Sequence, residues 1–130
     1  MYEIKYIHRT ILISNIQNNK SVCDCECIEI ERTDITKDKG LYITYIFTHS
    51  EFRNKGYACN MLDFMINFCK IKNYKYIILD DSTDSSPPHN LYYKLNCLVK
   101  KFDQDYNYNW VKWKDNIDLS VDEERLFKFW

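Results

Sequence analysis

Short apolar runs separated by polar turns fill the first half of the chain. Residues 2–8 alternate weakly with the period of two that is typical of β-strands, and residues 10–16 are a second short β-like run. Residues 22–32 also alternate, but the three cysteines of CDCEC lie on one face, whereas Ile28 and Ile30 lie on the other. This change of phase predicts either a sheet that is covered on both sides or a β-bulge.

The middle of the chain changes from strand to helix and back to strand. Residues 41–50 are apolar almost throughout, which predicts a central strand buried on both faces. From residue 58 to about 73 the apolar positions follow one broad stripe at helical spacing, which predicts a largely buried amphipathic helix. Residues 74–81 predict another strand of the buried, parallel type.

Shorter elements follow in the last third. Residues 88–95 predict a short helix that a proline can open. Residues 97–103 and 110–115 predict a hairpin. The spacing SxxE before the end of the chain matches a capping box and predicts a short helix over about 121–129. The order β-β-β-β-α-β-α-β-β-α indicates one α/β domain, residues 1–130, with a mixed sheet.

Composition narrows the class of protein. The 130 residues are 45% hydrophobic and 16% aromatic, enough to form one core. With 18 basic and 19 acidic residues and no basic stripe with interleaved aromatics, a nucleic-acid-binding module is not expected. No apolar run approaches the ~20 residues of a membrane span. The N-terminus lacks the pattern of a signal peptide, so we expect a cytoplasmic protein that does not associate with membranes.

Six cysteines in a reducing compartment are expected to remain thiols. Those of CDCEC alternate along a predicted strand, where neighbours on one face lie ~6.6 Å apart. That spacing favours buried thiols over a metal site, and we expect no metal.

Gly56 is one of only two glycines, and it lies between a β-rich segment and a helical one. Gly40, the other, is interpreted as ordinary turn punctuation. A helix N-terminus presents backbone N–H groups and about half a positive charge to an anion. Glycine lets the anion approach the backbone, and Arg53 and Lys55 add charge nearby. The pattern predicts a pyrophosphate cradle, and a simple turn that needs a positive φ is the alternative.

Two runs, THSEFRNKGYA and LYYKLNCLV, resemble motifs of the GNAT superfamily of acyl-CoA-dependent N-acetyltransferases. Arg53, Gly56 and Ala58 match the motif [RQ]-x-x-G-x-[GA], and Tyr92 falls on the family's recurrent tyrosine. The resemblance covers roughly residues 41–114. It implies a mixed, mostly antiparallel β-sheet with a central parallel strand pair that splays to bind CoA, and helices on both faces.

Some positions depart from the family pattern. Asn96 and Cys97 replace the usual glycine and phenylalanine, and Ser50 replaces a proline. The segment 9–21 is too short for the two helices that form one wall of the substrate cleft in the family. Contacts with the acceptor therefore do not carry over from relatives.

The resemblance implies direct transfer of an acetyl group from acetyl-CoA to a primary amine in a ternary complex. It implies that the pantetheine arm lies against Phe47 and Thr48. It also implies that the pyrophosphate lies on the backbone at Arg53, Asn54, Lys55, Gly56, Tyr57 and Ala58.

Catalysis of this kind has two proton transfers. An alkyl amine of pKa near 10.4 is roughly 0.1% neutral at pH 7, so a base or a water chain helps. Asp80 and Asp81, at the end of the buried strand, are the candidate bases, ahead of His49 and His89. Tyr92 is the candidate acid for the leaving thiolate, and packing against the sheet is its structural alternative.

Other functions remain open. A catalytically inactive GNAT-like CoA-binding or protein-interaction module is the main alternative, since Asn96 and Cys97 alter the second motif. An assembly domain that docks through the aromatic residues of 125–130 is another. The acceptor is left open among polyamines, aminoglycosides, lysine side chains, protein N-termini and amino sugars, and a homodimer is compatible with the sequence. The acidic residues Asp80, Asp81 and Asp84 would suit a cationic amine, although a loop that only needs solubility also explains them.

Overall fold

The structure, a computed structural model, describes residues 1–81, 89–114 and 123–130. The elements in these ranges are β1 (Tyr2–Ile7), β2 (Thr10–Gln17), β3 (Lys20–Ile30), β4 (Gly40–Thr48), a 3₁₀ turn (Ser50–Phe52), α1 (Tyr57–Lys72), β5 (Tyr76–Asp80), α2 (Leu91–Lys94), β6 (Leu98–Phe102), β7 (Tyr108–Lys112) and β8 (Glu124–Lys128). The chain clusters into two compact units, Met1–Ile77 and Ile78–Trp130, whose boundary falls within β5. Within the described ranges, no helix has the length and apolar character that a membrane crossing requires.

The predicted fold class is confirmed. The strands form a mixed sheet in which β4 and β5 are parallel, and each of the pairs β1–β2, β2–β3, β3–β4 and β6–β7 is antiparallel. Strand order is β1-β2-β3-β4 in the first unit and β5-β8-β6-β7 in the second.

Tight turns join the first three strands. Ile7 pairs with Thr10 across a two-residue turn, so no helix lies between β1 and β2. Asn18 and Asn19 both have positive φ, 51° and 60°, the combination that a two-residue hairpin turn of type I′ requires. The brief segment that we expected to lack the family's helices therefore holds strand β2 instead.

The bulge near the change of phase lies in the partner strand, so it does not explain the pattern of β3. The β3–β4 register shifts between Glu26 and Cys27, where the pairing skips Thr44 of β4. Against β2, residues 23–28 of β3 pair without interruption. Cys23, Cys25 and Cys27 are buried, whereas Ile28 and Ile30 are only partly buried.

Strand β4 is buried only in its first half, so the prediction of burial on both faces throughout is wrong for its second half. Leu41 and Ile43 are buried, whereas the side chains of Tyr45 and Phe47 are 45% and 44% exposed. The end of β4, which leads into the loop before α1, therefore exposes aromatic side chains.

The sequence suggested that Gly40 is an ordinary turn residue, but this interpretation is wrong. It is buried at the start of β4, and a Cβ built there would lie 2.3 Å from Cε2 of Tyr76. The Tyr76 hydroxyl accepts a hydrogen bond from the backbone N–H of Arg32 at 2.9 Å, which fixes the ring. Glycine is required because no side chain fits beneath this ring.

The helix predicted from residue 58 to about 73 is confirmed as α1. Its buried residues are Met61, Leu62, Met65, Phe68 and Cys69. The Cys25 thiol lies 3.0 Å from the Met65 sulfur, so α1 packs on the cysteine face of the first unit's strands. The buried thiols expected at Cys23, Cys25 and Cys27 are confirmed; Cys69 and Cys97 are also buried, and Cys59 is partly exposed. Burial raises the pKa of the Cys27 thiol to about 12.

The C-terminal helix predicted over about 121–129 is wrong, because β8 is a strand. Leu126 pairs with Leu98 of β6 in antiparallel register. Arg125, Leu126 and Phe127 are all buried. Ser120, which suggested the capping box, lies outside the described residues. Pairing with a strand distant in sequence outweighs the local helix signal.

Candidate functional site

The junction between β4 and α1 makes two sharp changes of direction. After the 3₁₀ turn, Arg53 is extended, with φ −70° and ψ 156°. Asn54 is left-handed with φ 63°, and Gly56 is left-handed with φ 83°. Two left-handed residues so close together reverse the chain within a few positions, and asparagine and glycine adopt that conformation most readily.

Gly56 is the N-cap of α1 and leaves the helix amides open. It has no side chain to cap them, and the first turn carries no acidic residue. The first helical bond runs from the Asn60 N–H to the Gly56 carbonyl at 3.0 Å, so the amides before Asn60 have no partner within the helix. A Cβ built on Gly56 would meet no atom within 4 Å. Open amides beneath empty space can receive an anion.

Both cations of the junction are exposed and held by aromatic rings. The Nε of Arg53 donates to the Thr48 carbonyl at 3.1 Å, and its guanidinium lies 5.6 Å from the centroid of the Phe47 ring. The Lys55 ammonium lies 5.9 Å from the centroid of the Phe52 ring. These contacts hold Arg53 at the end of β4 while the junction remains positively charged.

The other residues predicted to bind the coenzyme lie in the same stretch. The Thr48 hydroxyl contacts the Cys23 sulfur at 3.6 Å. Tyr57 packs edge-on to Phe52 with ring centroids 6.2 Å apart, and Ala58 lies partly buried in the first turn of α1. With Phe47, Arg53, Asn54, Lys55 and Gly56, they all lie in the first unit between the end of β4 and the first turn of α1.

His49 is tied to β3 by a hydrogen bond that the sequence did not indicate. Its Nε2 lies 3.0 Å from a carboxylate oxygen of Asp24. The other Asp24 oxygen accepts hydrogen bonds from Ser14 and Ser21, both at 2.6 Å. Desolvation raises the pKa of Asp24, but these hydrogen bonds and His49 lower it by more, so the net shift is downward. The His49 ring is edge-on to Phe47 at 5.0 Å, which links this cluster to the junction.

The two candidate bases of the second unit have very different surroundings. Asp80 is exposed at the end of β5. Asp81 is 1% exposed and lies 3.2 Å from the guanidinium of Arg125. Its carboxylate also accepts a hydrogen bond from the Asn90 amide at 2.7 Å. Although they are adjacent in the chain, Asp80 is exposed and Asp81 is buried.

Tyr92 lies on α2 and is 8% exposed. The helix begins at a side-chain cap, because the Asn90 carbonyl oxygen accepts from the backbone N–H groups of Tyr92 and Tyr93 at 2.8 and 3.2 Å. The neighbouring Tyr93 ring packs edge-on to Trp113 at 5.6 Å. The two adjacent tyrosines therefore have distinct environments.

The fold accommodates the two residues after α2 that depart from the family pattern. Asn96 has φ 63°, the left-handed conformation that glycine would otherwise supply. Cys97 is fully buried, and burial raises the pKa of its thiol to about 12. His89 is exposed beside the helix. Asp84 lies outside the described residues, so the predicted acidic rim is described only at Asp80 and Asp81.

Two residues of this cluster were missed from the sequence, Asn90 and Arg125. Asn90 is fully buried and joins Asp81 to the helix. Arg125 is one of only four arginines, and its signal was a charge inside the otherwise apolar ending RLFKFW. A charged residue at a buried strand position usually has a charged partner.

Residues 14–96 match the model of the acetyltransferase (GNAT) family. No curated protein matches the sequence significantly.

Solved structures show the same likeness. A GNAT family acetyltransferase from Staphylococcus aureus is 25% identical, with a TM-score of 0.55 over 65% of this chain and 62% of that one. A predicted acetyltransferase from Clostridium acetobutylicum, solved with acetyl-CoA, is 25% identical over 67% of this chain and 56% of that one, with a TM-score of 0.52. A GNAT family acetyltransferase from Elizabethkingia anophelis with acetyl-CoA bound is 18% identical over 92% and 76% of the two chains, and its TM-score of 0.62 supports the fold. The match thus spans less than two thirds of the Staphylococcus and Clostridium chains.

Proposed function

Because the chain belongs to the acetyltransferase (GNAT) family, we propose that it transfers an acetyl group from acetyl-CoA to a primary amine. The observation that carries the proposal is the junction, where the open amides at Gly56 adjoin Arg53 and Lys55. The Clostridium and Elizabethkingia proteins, which have acetyl-CoA bound, support the choice of donor.

In this proposal the junction binds the pyrophosphate of acetyl-CoA. Backbone N–H groups from Arg53 to Ala58 donate to its oxygens, and the two cations neutralise part of its charge. The exposed ring of Phe47 and the backbone at Thr48 contact the pantetheine arm. Holding donor and acceptor in one complex then supplies much of the rate enhancement.

The reaction is a direct acyl transfer. The neutral amine attacks the thioester carbonyl carbon, and the tetrahedral intermediate collapses as the carbon–sulfur bond breaks. Tyr92 donates a proton to the leaving thiolate. A carboxylate at the end of β5 receives the proton of the amine, directly or through water. Asp80 is the better base, because it is exposed, whereas Asp81 is buried and its carboxylate contacts Arg125 and Asn90.

We choose the class of acceptor by its charge. An exposed carboxylate at Asp80 suits an amine that arrives protonated, and a small polyamine, an amino sugar and a peptide N-terminus all carry such an amine. Binding of acetyl-CoA without transfer to any amine would instead indicate the inactive CoA-binding module.

The test is release of free CoA thiol from acetyl-CoA with a panel of primary amines. Tyr92→Phe is compared with Tyr93→Phe, which removes the neighbouring hydroxyl. We expect Tyr92→Phe to lower kcat by about 10²-fold or more, as loss of a general acid does, and Tyr93→Phe to change it little. No thiol release above hydrolysis with any amine, from protein that binds acetyl-CoA, would overturn the proposal.

A further inference from the structure

We propose that Arg125, on the C-terminal strand β8, positions helix α2 and therefore Tyr92 through a relay formed by Asp81 and Asn90. The inference rests on the proposed role of Tyr92 as the acid. Arg125, Asp81 and Asn90 would be positioning residues, since the relay acts on the reacting group only through the helix.

The first link joins β8 to the end of β5. Nη2 of Arg125 lies 3.2 Å from Oδ2 of Asp81, and the two side chains are 2% and 1% exposed. Nη1 of Arg125 donates to the carbonyls of Glu123 and Glu124 at 3.1 and 3.4 Å. The guanidinium also lies 4.4 Å from the centroid of the Trp113 ring. These contacts fix the guanidinium, and the backbone N–H of Asp81 donates to the Glu123 carbonyl at 3.0 Å.

The second link runs from Asp81 to the start of α2. The Asn90 side chain is fully buried, and its Nδ2 donates to Oδ2 of Asp81 at 2.7 Å. A carboxylate can only accept hydrogen bonds, so it selects the NH₂ end of the Asn90 amide. The amide oxygen must then point the other way, where it accepts from the N–H of Tyr92 at 2.8 Å and of Tyr93 at 3.2 Å.

The cap matters because α2 is short. It spans only Leu91–Lys94, and a single turn is marginal without external hydrogen bonds. The side-chain cap fixes the first residues of the helix, including the backbone of Tyr92. Rotation of Asn90 would remove both hydrogen bonds at once.

Stability alone does not explain a buried charge pair at this position. Apolar residues of similar volume often stabilise a fold as well as a buried ion pair does. The Nε of Arg125 has no acceptor among the described residues, so the guanidinium is incompletely satisfied. The pair does supply direction, because it sets which end of Asn90 faces the helix.

The test replaces the ion pair without leaving a lone buried charge. The double variant Arg125→Met/Asp81→Leu keeps the site apolar and filled, whereas Asn90→Ser keeps an N-cap group but lacks the amide that reaches Asp81. For both we expect kcat to fall about tenfold or more while KM for acetyl-CoA changes little, since small misplacements of a reacting group are costly. On a Tyr92→Phe background neither change should lower kcat further.

Two results would overturn the relay: wild-type kcat in both variants, or an equal loss of kcat on the Tyr92→Phe background. Hydrogen exchange at the amides of Tyr92 and Tyr93 gives a readout that does not depend on turnover. We expect about tenfold faster exchange there in the double variant, with the Val99 amide of β6 as the unchanged control. If the wild type transfers no acetyl group, the proposed function fails, and unchanged exchange at these two amides would separately reject the relay.

Discussion

At the scale of single residues, asparagine fills left-handed positions that glycine fills in most proteins. The chain has two glycines, and among the described residues five of the seven non-glycine residues with positive φ are asparagines. Asn54 serves the junction, Asn73 ends α1, and Asn96 follows α2. Asparagine tolerates this conformation better than other side chains do. The replacement of the family glycine by Asn96 therefore preserves the backbone.

Asn96 gives a direct test. Asn96→Ala places a Cβ-bearing residue that lacks this tolerance at φ 63°, and we expect it to lower the free energy of unfolding by about 1–2 kcal/mol. Asn96→Gly should change it by no more than about 0.5 kcal/mol, because the side chain is exposed. Urea unfolding of both variants is the measurement, and equal stability of the two would show that the conformation is not the cause.

Gly40 tests a different property of glycine, its lack of volume. In Gly40→Ala the new Cβ would lie 2.3 Å from the Tyr76 ring, and we expect a loss of about 1–3 kcal/mol from overpacking. On a Tyr76→Ala background the same substitution should cost much less. Thermal unfolding of the four proteins completes the cycle, and the same cost on both backgrounds would contradict the packing argument.

At the scale of elements, the sequence pattern predicted the helices and strands that depend on interactions between residues close in sequence. Helix α1, the first three strands and the β6–β7 hairpin follow periodicity and turn residues close in sequence. Strand β8 follows contacts with β6 that lie far away in sequence, so its capping-box pattern was misleading. The second half of β4 was predicted buried from its apolar residues, but an apolar side chain can equally serve an exposed site.

The strand assignment of residues 124–128 predicts which side chains matter. Leu126→Ala should lower the free energy of unfolding by about 2–5 kcal/mol, because Leu126 is 1% exposed. Lys128→Ala, at an exposed position of the same strand, should have little effect. Urea unfolding compares the two, and similar losses would argue against this burial pattern.

The Asp24 cluster, which joins β2 and β3 to His49 after β4, predicts a dependence on pH. The folded pKa of Asp24 lies below its unfolded value, so the stability it adds is present above the unfolded pKa and is lost as pH falls through the folded one. Wild type should therefore exceed Asp24→Asn in unfolding free energy at pH 7, and the difference should shrink below about pH 4. A difference that is constant from pH 7 to pH 2.5 would rule out this linkage.

At the scale of the whole molecule, family and fold class were predictable because two motifs stand in the right order in the sequence. The junction proposed to bind the coenzyme could be identified for the same reason, since its residues are contiguous. Contacts between residues far apart in the sequence were not predictable. Asp24 meets His49 across 25 positions, and Arg125 meets Asp81 across 44, so only the folded chain brings these side chains together. Their sequence signal is limited to charges within apolar strands.

The central claim is that the Gly56 junction binds the pyrophosphate of acetyl-CoA. Calorimetric titration of the purified protein with acetyl-CoA tests it, beside Gly56→Asn and Gly56→Asp. Both substitutes tolerate the left-handed backbone and have nearly the same shape, so they differ mainly in one negative charge. Circular dichroism and urea unfolding of all three proteins control for folding.

We expect the wild type to bind with a roughly micromolar Kd. Gly56→Asn should bind more weakly, and Gly56→Asp at least about tenfold more weakly than Gly56→Asn, because its carboxylate would face the phosphates. Equal affinity of the two variants, or no binding by folded wild type, would contradict the assignment of this junction to the coenzyme.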